Sequence, residues 1–431
     1  MRRVAWASTV VLVAAAIPIG LAAAAPGDLD PTFSGNGWVR TYDMTGFTGP
    51  YTAKGAEDLA IQPDGKIVAV GEIKNRGQLV LGALRWTSTG DLDRSFGDSG
   101  WATTHVGQVP NAHAVALQPD GKILVGGEVD FDLDLNLAGI ARFNRDGSLD
   151  RSFGDGGVVH SPNAFGRHVN DVAVQRDGKI VTVGNHISSR DRQLAFAVSR
   201  YLPNGALDRS FSGDGRTSIS FRSGHETAYA VALQRDGKIV VAGSAEYYED
   251  DFAFARLRPN GKLDRTFSRD GLQMVRFGPE RTDRVRSLVI QRNGRIVAAG
   301  DSRVLPRYEP SRMALIRLKA NGALDRPFGK HLTSPVRNGG YARAVRVQAD
   351  GRIVVAGLAY EDPDYSTSAW FLARYLRNGR SDPAFGRGGI VVSDFGTGTD
   401  WAGAIALQPD GRIVVGGSVY EDQAIARYRA G

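Results

Sequence analysis

Tyrosine followed directly by two carboxylates occurs three times in the sequence, and this combination is typical of loops that bind sugars or cations. The clusters are Tyr248-Glu249-Asp250, Tyr360-Glu361-Asp362 and Tyr420-Glu421-Asp422. A tyrosine ring can stack on a sugar face while neighbouring carboxylates accept hydrogen bonds from its hydroxyls. We therefore predict a binding site at these nine residues. The alternative is that they are polar loop tips, with each tyrosine covering the edge of a sheet.

Alternating aspartates at Asp130, Asp132 and Asp134 suggest a weak calcium site, since at strand spacing the three carboxylates would share one face. The run is not an EF-hand, because it lacks the glycine at the sixth loop position and has Ala141 where a bidentate glutamate is needed. The seven histidines show no spacing typical of zinc ligands. No cofactor and no other metal site is expected.

A repeated stretch must position these candidates, and its best copy runs from Leu233 to Gly243. An Asp-Gly pair between two apolar runs predicts a hairpin with a two-residue type I′ turn. The pair recurs at 56- to 60-residue spacing, with Asn in place of Asp once, and each copy has Gln two residues before the turn, Ile three after and Gly seven after. The turns begin at Asp64, Asp120, Asp177, Asp236, Asn293, Asp350 and Asp410.

Each repeat contains four short apolar segments, which we interpret as four strands. In the second repeat these are 101–106, 113–118, 122–129 and 138–143. The third segment is apolar on both faces, as expected of a strand between neighbouring sheets. Four-stranded units at this period are typical of a β-propeller. We predict an all-β fold, a single seven-bladed β-propeller of four-stranded antiparallel blades over residues 26–431.

A second recurring element follows the fourth strand. It begins with an arginine, followed in six repeats by Asp eight residues later and Phe three residues further on. We predict that the Asp caps the amide three residues on, that the Phe wedges between blades and that the Arg pairs with the Asp or the repeat's Gln. The arginines are Arg85, Arg142, Arg200, Arg256, Arg317, Arg374 and Arg427. Arg427 lacks a downstream partner, whereas Asp30 and Phe33 form the same element without an arginine. This predicts a ring closed by the meeting of N- and C-terminal segments.

The combined pattern resembles the delta-60 repeat, a β-propeller family of unknown function in secreted bacterial proteins. The resemblance is carried by units such as 232–243 and by Gly205-Ala206-Leu207-Asp208-Arg209-Ser210-Phe211, and it covers nearly the whole chain after the first residues. It implies the propeller fold and export, and it brings no catalytic residues.

Seven unlike residues stand seven positions before the turns, at a place where the template is otherwise regular. If the second strand starts near the mouth of a central channel, they form a heterogeneous polar ring there, of the kind an enzyme would use. They are Glu57, His113, Asn170, Tyr229, Arg286, Arg343 and Gly403.

The first 25 residues are predicted to be a secretory signal peptide. Arg2 and Arg3 precede an apolar run, and small residues allow cleavage after Ala24 or Ala25; the alternative is an uncleaved anchor. We expect a secreted, monomeric protein with no membrane association after cleavage and, because it has no cysteine, no disulfides. The formal charge of +7 would fall to +5, and no basic run with interleaved aromatics indicates nucleic-acid binding.

Two functions remain open from the sequence. The favoured one is a non-enzymatic module that binds a glycan, a cell-wall component or a protein through the face where the loops vary, because residues present in every repeat are structural rather than catalytic. The alternative is an extracellular polysaccharide hydrolase or lyase that uses Glu249, Glu361 and Glu421 as acid and base.

Overall fold

The fold is all-β, and the computed structural model describes residues 25–41, 51–107, 110–132, 135–161, 168–187, 193–221, 224–245, 250–304, 310–333, 338–396 and 398–431. Side chains within 130–136 and 332–337 are not included in this description. The predicted signal peptide lies outside the described residues, apart from Ala25. Within these ranges no helix has the length and apolar character needed to cross a bilayer.

Twenty strands form five four-stranded antiparallel sheets, each in simple sequence order. The first two sheets contain β6 (Asn111–Leu117), β7 (Ile123–Asp132), β8 (Leu135–Phe143) and β9 (Val158–His160), then β10 (Asp171–Val174), β11 (Ile180–Ile187), β12 (Leu194–Tyr201) and β13 (Arg216–Ile219). The third contains β14 (Thr227–Leu233), β15 (Ile239–Ala245), β16 (Asp251–Leu257) and β17 (Leu272–Val275). The last two contain β18 (Arg281–Ile290), β19 (Ile296–Val304), β20 (Arg312–Leu318) and β21 (Lys330–Thr333), then β22 (Gly340–Val347), β23 (Ile353–Tyr360), β24 (Ser368–Tyr375) and β25 (Ile390–Ser393).

The sixth sheet has eight strands drawn from both ends of the chain. Its order is β26-β27-β28-β2-β3-β4-β5, with β1 also paired to β28. The strands are β1 (Trp38–Arg40), β2 (Tyr51–Ile61), β3 (Ile67–Asn75), β4 (Gln78–Trp86), β5 (Trp101–Thr104), β26 (Trp401–Leu407), β27 (Ile413–Val419) and β28 (Asp422–Tyr428).

This sheet corrects the architecture predicted from the sequence. The single closed ring of seven separate four-stranded blades is wrong, because the structure has five such blades and one eight-stranded sheet. The cause is the long strand β2, whose outer end continues past a register shift and pairs with β28 at Lys54 and Asp422. The amide of Gly55 also donates to the carbonyl of Glu421, at 3.2 Å.

The recurring hairpin differs from the predicted turn type. In the copy at Asp236, Leu233 pairs with Ile239, the amide of Gly237 donates to the carbonyl of Gln234, and that of Gln234 donates to Lys238. Gly237 has a φ of +81°, whereas Asp236 does not have a positive φ. The loop is therefore a type I turn closed by a left-handed glycine, and not a two-residue type I′ turn, which needs a positive φ at both central residues.

The boundaries of the predicted units also shift by one strand. Trp101–Thr104 was assigned to the second repeat, but as β5 it pairs with β4 and forms the outer strand of the preceding unit. The same holds along the chain, since β9 pairs with β8 and β13 with β12. Each sheet therefore begins with the strand that precedes the Asp-Gly turn and ends after the Asp-x-x-Phe element.

The Asp-x-x-Phe element links neighbouring units, as the copy at Arg200 illustrates. Its Nε donates to Asp208 Oδ2 at 2.8 Å, and its guanidinium lies 4.6 Å from the ring centre of Phe211, which is fully buried. A second nitrogen, Nη1, donates to the carbonyl of Pro259 in the next unit. The cap differs from the prediction, because Asp208 Oδ1 accepts the amide and hydroxyl of Ser210, two residues on and not three.

The arginine–aspartate pair is present in all seven repeats. Asp30 supplies the carboxylate for Arg427, at 2.9 Å, so the N-terminal element completes the C-terminal repeat. The other pairs are Arg85–Asp93, Arg142–Asp150, Arg200–Asp208, Arg256–Asp264, Arg317–Asp325 and Arg374–Asp382. Phe33 is fully buried beside Arg427, like the phenylalanine of the other copies.

Candidate functional site

The first acidic-aromatic cluster lies mostly outside the described residues, since Tyr248 and Glu249 are not among them. Asp250 is described, and its carboxylate is held by the neighbouring unit. Arg284 Nε donates to Asp250 Oδ2 at 2.8 Å, and Thr282 donates to the same oxygen at 3.3 Å. Asp250 therefore joins two sheets.

The second cluster is a loop stabilised by its own carboxylate. Asp362 accepts hydrogen bonds from the backbone and side chains of Ser366 and Thr367, and these bonds, the Thr367 hydroxyl first, lower the pKa of Asp362. Tyr360 is half-buried, with its ring 4.9 Å from that of Tyr365. Glu361 is exposed, and partial desolvation together with the charge of Asp394 raises its pKa.

The third cluster forms the tip of the β27–β28 hairpin. Tyr420 and Glu421 have φ values of +52° and +69°, and Val419 pairs with Asp422, so these two residues make a type I′ turn. Glu421 Oε2 accepts a hydrogen bond from Lys54 at 2.5 Å, and both side chains are exposed. Tyr420 is 44% exposed, with the Arg40 guanidinium 5.7 Å from its ring centre.

The described residues of the three clusters thus lie on separate hairpins, and the carboxylates of Asp250, Asp362 and Glu421 have different partners. Asp400 links the second and third clusters, since its Oδ1 accepts the amide of Tyr420 and its pKa is raised to about 6 by burial and then by Asp394 and Glu361. Asp400 itself is fully buried. The predicted calcium run lies at residues whose side chains are not described. Elsewhere in the described ranges, no cluster of three His, Asp or Glu side chains is arranged to hold a metal ion.

A central cavity of about 380 Å³ brings the seven unlike residues together. It is lined by the first strand of every unit, and all seven positions predicted for the polar ring contribute to its wall: Glu57, His113, Asn170, Tyr229, Arg286, Arg343 and Gly403. This volume lies at the lower end of the range of small-molecule sites. The unlike side chains of the repeats therefore converge on one space.

A β-bulge places most of these residues. In β14, Ala228 pairs with Gly243 and Ala230 with Ala242, so Tyr229 is the extra residue. The register shifts at the same place in β6, β18, β22 and β26, and β2 has a wider irregularity, between Lys54 and Asp58, that contains Glu57. Asn170 stands directly before β10. A bulge bends a strand and turns a side chain away from the regular alternation, so the same backbone irregularity presents a different residue from every unit except that of Asn170.

The recurring glycine opposite the bulge makes this device possible. A Cβ on Gly243 would lie 1.9 Å from the carbonyl oxygen of Thr227, and one on Gly300 would lie 1.8 Å from that of Arg284. These distances are far shorter than any contact a real side chain makes, so only glycine fits where the bulged strand approaches.

Arg286 is a lining side chain held by one carboxylate and two aromatic rings. Its Nε donates to Asp301 Oδ1 at 2.8 Å, and its guanidinium lies 5.8 Å and 5.6 Å from the ring centres of Tyr229 and Tyr341. Burial alone would lower the pKa of Arg286, but Asp301 outweighs this effect and raises it. Among the described residues, its Nη1 and Nη2 have no hydrogen-bond partner. The guanidinium of Arg286 is therefore fixed in place, and its Nη1 and Nη2 groups can donate hydrogen bonds to a ligand.

Arg343 lies in the next unit along the ring of lining residues. Its Nη2 donates to Glu57 Oε2 at 2.7 Å, and its guanidinium lies 4.1 Å from the ring centre of Trp401. This pair joins the sixth repeat to the first. The seventh repeat lies between them, but its lining residue is Gly403, which has no side chain to separate Arg343 from Glu57.

Two histidines converge on one carboxylate at the edge of the cavity. Glu128 Oε1 lies 2.6 Å from His168 Nδ1 and 3.3 Å from His113 Nε2. Burial raises the pKa of Glu128, but hydrogen bonds from His113 and His168 outweigh burial and lower it to about 2. The three side chains are about one quarter exposed.

Farther along the lining strands, two aspartates and one arginine face the interior. Asp58 accepts the amide of Val115, at 2.9 Å, and Asp171 accepts that of Val231, at 2.8 Å, so each carboxylate binds another unit's strand. Burial raises the pKa of both, and Asp58 adds to the effect on Asp171, whose pKa reaches about 7. Arg346 also lines the cavity and is within electrostatic reach of both carboxylates.

Several of these residues were missed from the sequence, although the repeat template contains the signal. Arg346 occupies a position that is Ala or Val in every other repeat: Ala60, Ala116, Ala173, Ala232, Val289 and Ala406. The positions nine before and eight after the turn Asp are equally variable, and they supply Tyr341, Trp401, His168, Glu128 and Asp301. Variation within a strongly repeated template therefore indicated the lining at Arg346 and, at the two other positions, residues that hold lining side chains in place.

Comparison with known families gives one match, to the family described as domain of unknown function (DUF5122) beta-propeller. It matches seven segments of the chain, 62–96, 118–153, 175–211, 234–267, 291–328, 348–385 and 408–431. The chain belongs to this family. The match confirms the propeller repeats predicted from the sequence, and the narrower delta-60 name stays a resemblance. In this DUF5122 propeller every matched segment begins at the repeat's glutamine, and six of the seven end at the buried phenylalanine, so the match omits the bulge residues.

Solved structures match this DUF5122 propeller at low sequence identity. The polysaccharide lyase Uly1 matches with a TM-score of 0.51 and 11% identity, over 87% of this chain and 90% of that one. The WD40 beta propeller domain of Doa1 has a TM-score of 0.48 and 12% identity, over 89% and 98%. YCF48 from Cyanidioschyzon merolae has a TM-score of 0.48 and 11% identity, over 90% and 98%. No curated protein matches.

Proposed function

We propose that this protein is a non-enzymatic binding module and that its ligand, a glycan, binds at the mouth of the central cavity. One observation carries the proposal: seven unlike residues, six of them at β-bulges, line one cavity in an otherwise repeated scaffold. Where a repeated scaffold varies mainly at the residues that line one cavity, we expect those residues to determine which ligand binds.

The lining suits a polyhydroxylated ligand. The lining residues Asn170 and His113 offer donors and acceptors, and Tyr229 supplies aromatic surface. Beside the lining, Glu128, Tyr341 and Trp401 contact the side chains of His113, Arg286 and Arg343 respectively. Most of these groups are held by neighbours, which lowers the entropy lost on binding. The loop clusters fit less well, because Asp250, Asp362 and Glu421 already have partners on the protein.

The test is a glycan and cell-wall pull-down with paired variants. The cavity variant carries Tyr229→Ala and His113→Ala, and the loop variant carries Tyr360→Ala, Glu361→Ala, Tyr420→Ala and Glu421→Ala. We expect the loop variant to retain the ligand and the cavity variant to lose it. Loss in the loop variant alone would overturn the placement of the site, and binding of no glycan by the wild-type protein would overturn the proposed ligand class.

Catalysis on an extracellular polysaccharide is a second candidate because of Glu361. The pKa of Glu361 is raised, in part by the negative charge of Asp394, and a general acid beside a second carboxylate would have these properties. Incubation with acidic and neutral polysaccharides, followed by assays for new reducing ends and for unsaturated products, tests it. Turnover that falls at least 100-fold in Glu361→Gln would establish this function, and the absence of any product would remove it.

A further inference from the structure

The charged side chains that line the cavity indicate which class of glycan it would bind. Three arginines line it, Arg286, Arg343 and Arg346, together with three carboxylates, Glu57, Asp58 and Asp171. Only Glu57 forms an ion pair with one of these arginines. Burial raises the pKa of Asp58 and of Asp171, that of Asp171 to about 7. Asp301 pairs with Arg286 from outside the lining, so what the wall offers an anion is a set of fixed arginines.

Arg286 and Arg343 are built to receive a planar anion. Each guanidinium is oriented by one carboxylate and by aromatic rings, and each keeps N–H groups without partners among the described residues. Arginine binds carboxylates through two parallel hydrogen bonds, and a fixed guanidinium loses little entropy in doing so. The two arginines occupy equivalent bulge positions in consecutive units, so they lie side by side in the wall.

We propose that the cavity mouth binds an acidic glycan, whose sugar carboxylate is held by Arg286 and Arg343. This inference rests on the proposed glycan-binding function and specifies its ligand. The hydroxyls of the same sugar bind on the opposite wall, where Asn170 and His113 lie.

The experiment is calorimetric titration of the mature protein with matched pairs of probes. Oligogalacturonate, oligomannuronate and hyaluronan oligosaccharides are each compared with the same oligosaccharide after reduction of its carboxyl groups to primary alcohols. Polyglycerol phosphate tests phosphate as the anion. We expect at least one uronate to bind, at least tenfold more tightly than its reduced form.

Two variants separate the role of the guanidinium from a loss of folding. Arg286→Gln should weaken uronate binding at least tenfold, and Arg286→Lys should fall between it and wild type, because lysine keeps the charge without the planar fork. The matched control is Arg145→Gln, which removes an arginine paired with Asp64 in the recurring Asp-Gly turn. It should leave binding unchanged.

Glu57→Gln supplies a gain of function that misfolding cannot mimic. It removes the carboxylate that occupies Arg343, so the affinity for a uronate should rise severalfold while that for the reduced sugar stays constant. Equal binding of the uronate and its reduced form would overturn the acidic ligand and leave the glycan-binding function standing. Binding of the phosphate polymer alone would contradict the claim that the bound anion is a sugar carboxylate. Binding of no glycan would overturn both proposals.

Discussion

At the scale of single residues, the recurring positions of the repeat have different structural roles. Carboxylates at hairpin tips are held by neighbours: Asp362 by Thr367, Glu421 by Lys54. Glycines seven residues after the turns permit a close backbone approach, and residues seven before the turns face a cavity. The sequence showed that these two positions differ in variability, but it could not show that they oppose each other across a bulge, because bulges leave no fixed residue signature.

The glycine opposite the bulge can be tested by Gly243→Ala. The new Cβ would meet the carbonyl oxygen of Thr227 at 1.9 Å, so the strands must separate, and we expect a loss of about 1–3 kcal/mol in the free energy of unfolding. The control is Gly213→Ala, where nothing lies within 4 Å and only the positive φ is strained, at a cost of about 1 kcal/mol. Denaturant unfolding measures both, and an equal or smaller loss for Gly243→Ala would contradict the role of close approach.

Asp171 predicts a pH dependence of stability. Burial, then the charge of Asp58, raises its pKa from 3.8 to about 7 in the folded protein. Between these values the folded state binds more protons than the unfolded state, so stability falls as pH rises from about 4 to 7 and levels off above 7. Asp171→Asn should flatten this fall in urea titrations between pH 4.5 and 8. Parallel curves for the variant and the wild type would show that Asp171 does not titrate in this range.

At the scale of elements, the Asp-x-x-Phe link fastens each sheet to the next. The sequence was sufficient to predict its three residue types and their pairing, because their spacing is constant. It was not sufficient for the details: the carboxylate binds two residues on, and an arginine Nη donates to a carbonyl of the following unit. That carbonyl lies about 60 residues away, and no local pattern indicates it.

Removing the buried arginine from one link should be costly. Arg200→Ala leaves the buried Asp208 with Lys179, at 3.5 Å, as its remaining ion-pair partner, and we expect a loss of up to about 3–5 kcal/mol in the free energy of unfolding. Lys54→Ala breaks the exposed pair with Glu421 and should cost no more than about 1 kcal/mol. Thermal and denaturant unfolding of the two variants test the difference, and comparable losses would show that the buried pair has no special weight.

At the scale of the whole molecule, the repeats made the fold class predictable from the sequence. They did not make predictable how strands from the two ends of the chain pair with each other. Period, strand content and the β-propeller family all follow from the repeated template. The joined sheet does not, because the pairing of Lys54 with Asp422 depends on the unusual length of β2 and the tight turn at Tyr420 and Glu421. The seven ring residues were predicted to face a channel mouth, whereas the partners that fix them come from other strands and units.

The most direct test of the central claim is hydrogen–deuterium exchange of the protein with and without the glycan that it retains in the pull-down. The account predicts that the ligand slows exchange in the bulge segments 111–115, 227–231, 284–288 and 341–345. The hairpin tips 359–368 and 418–423 should exchange at unchanged rates. Protection confined to those tips, with none in the bulge segments, would contradict the central cavity as the binding site.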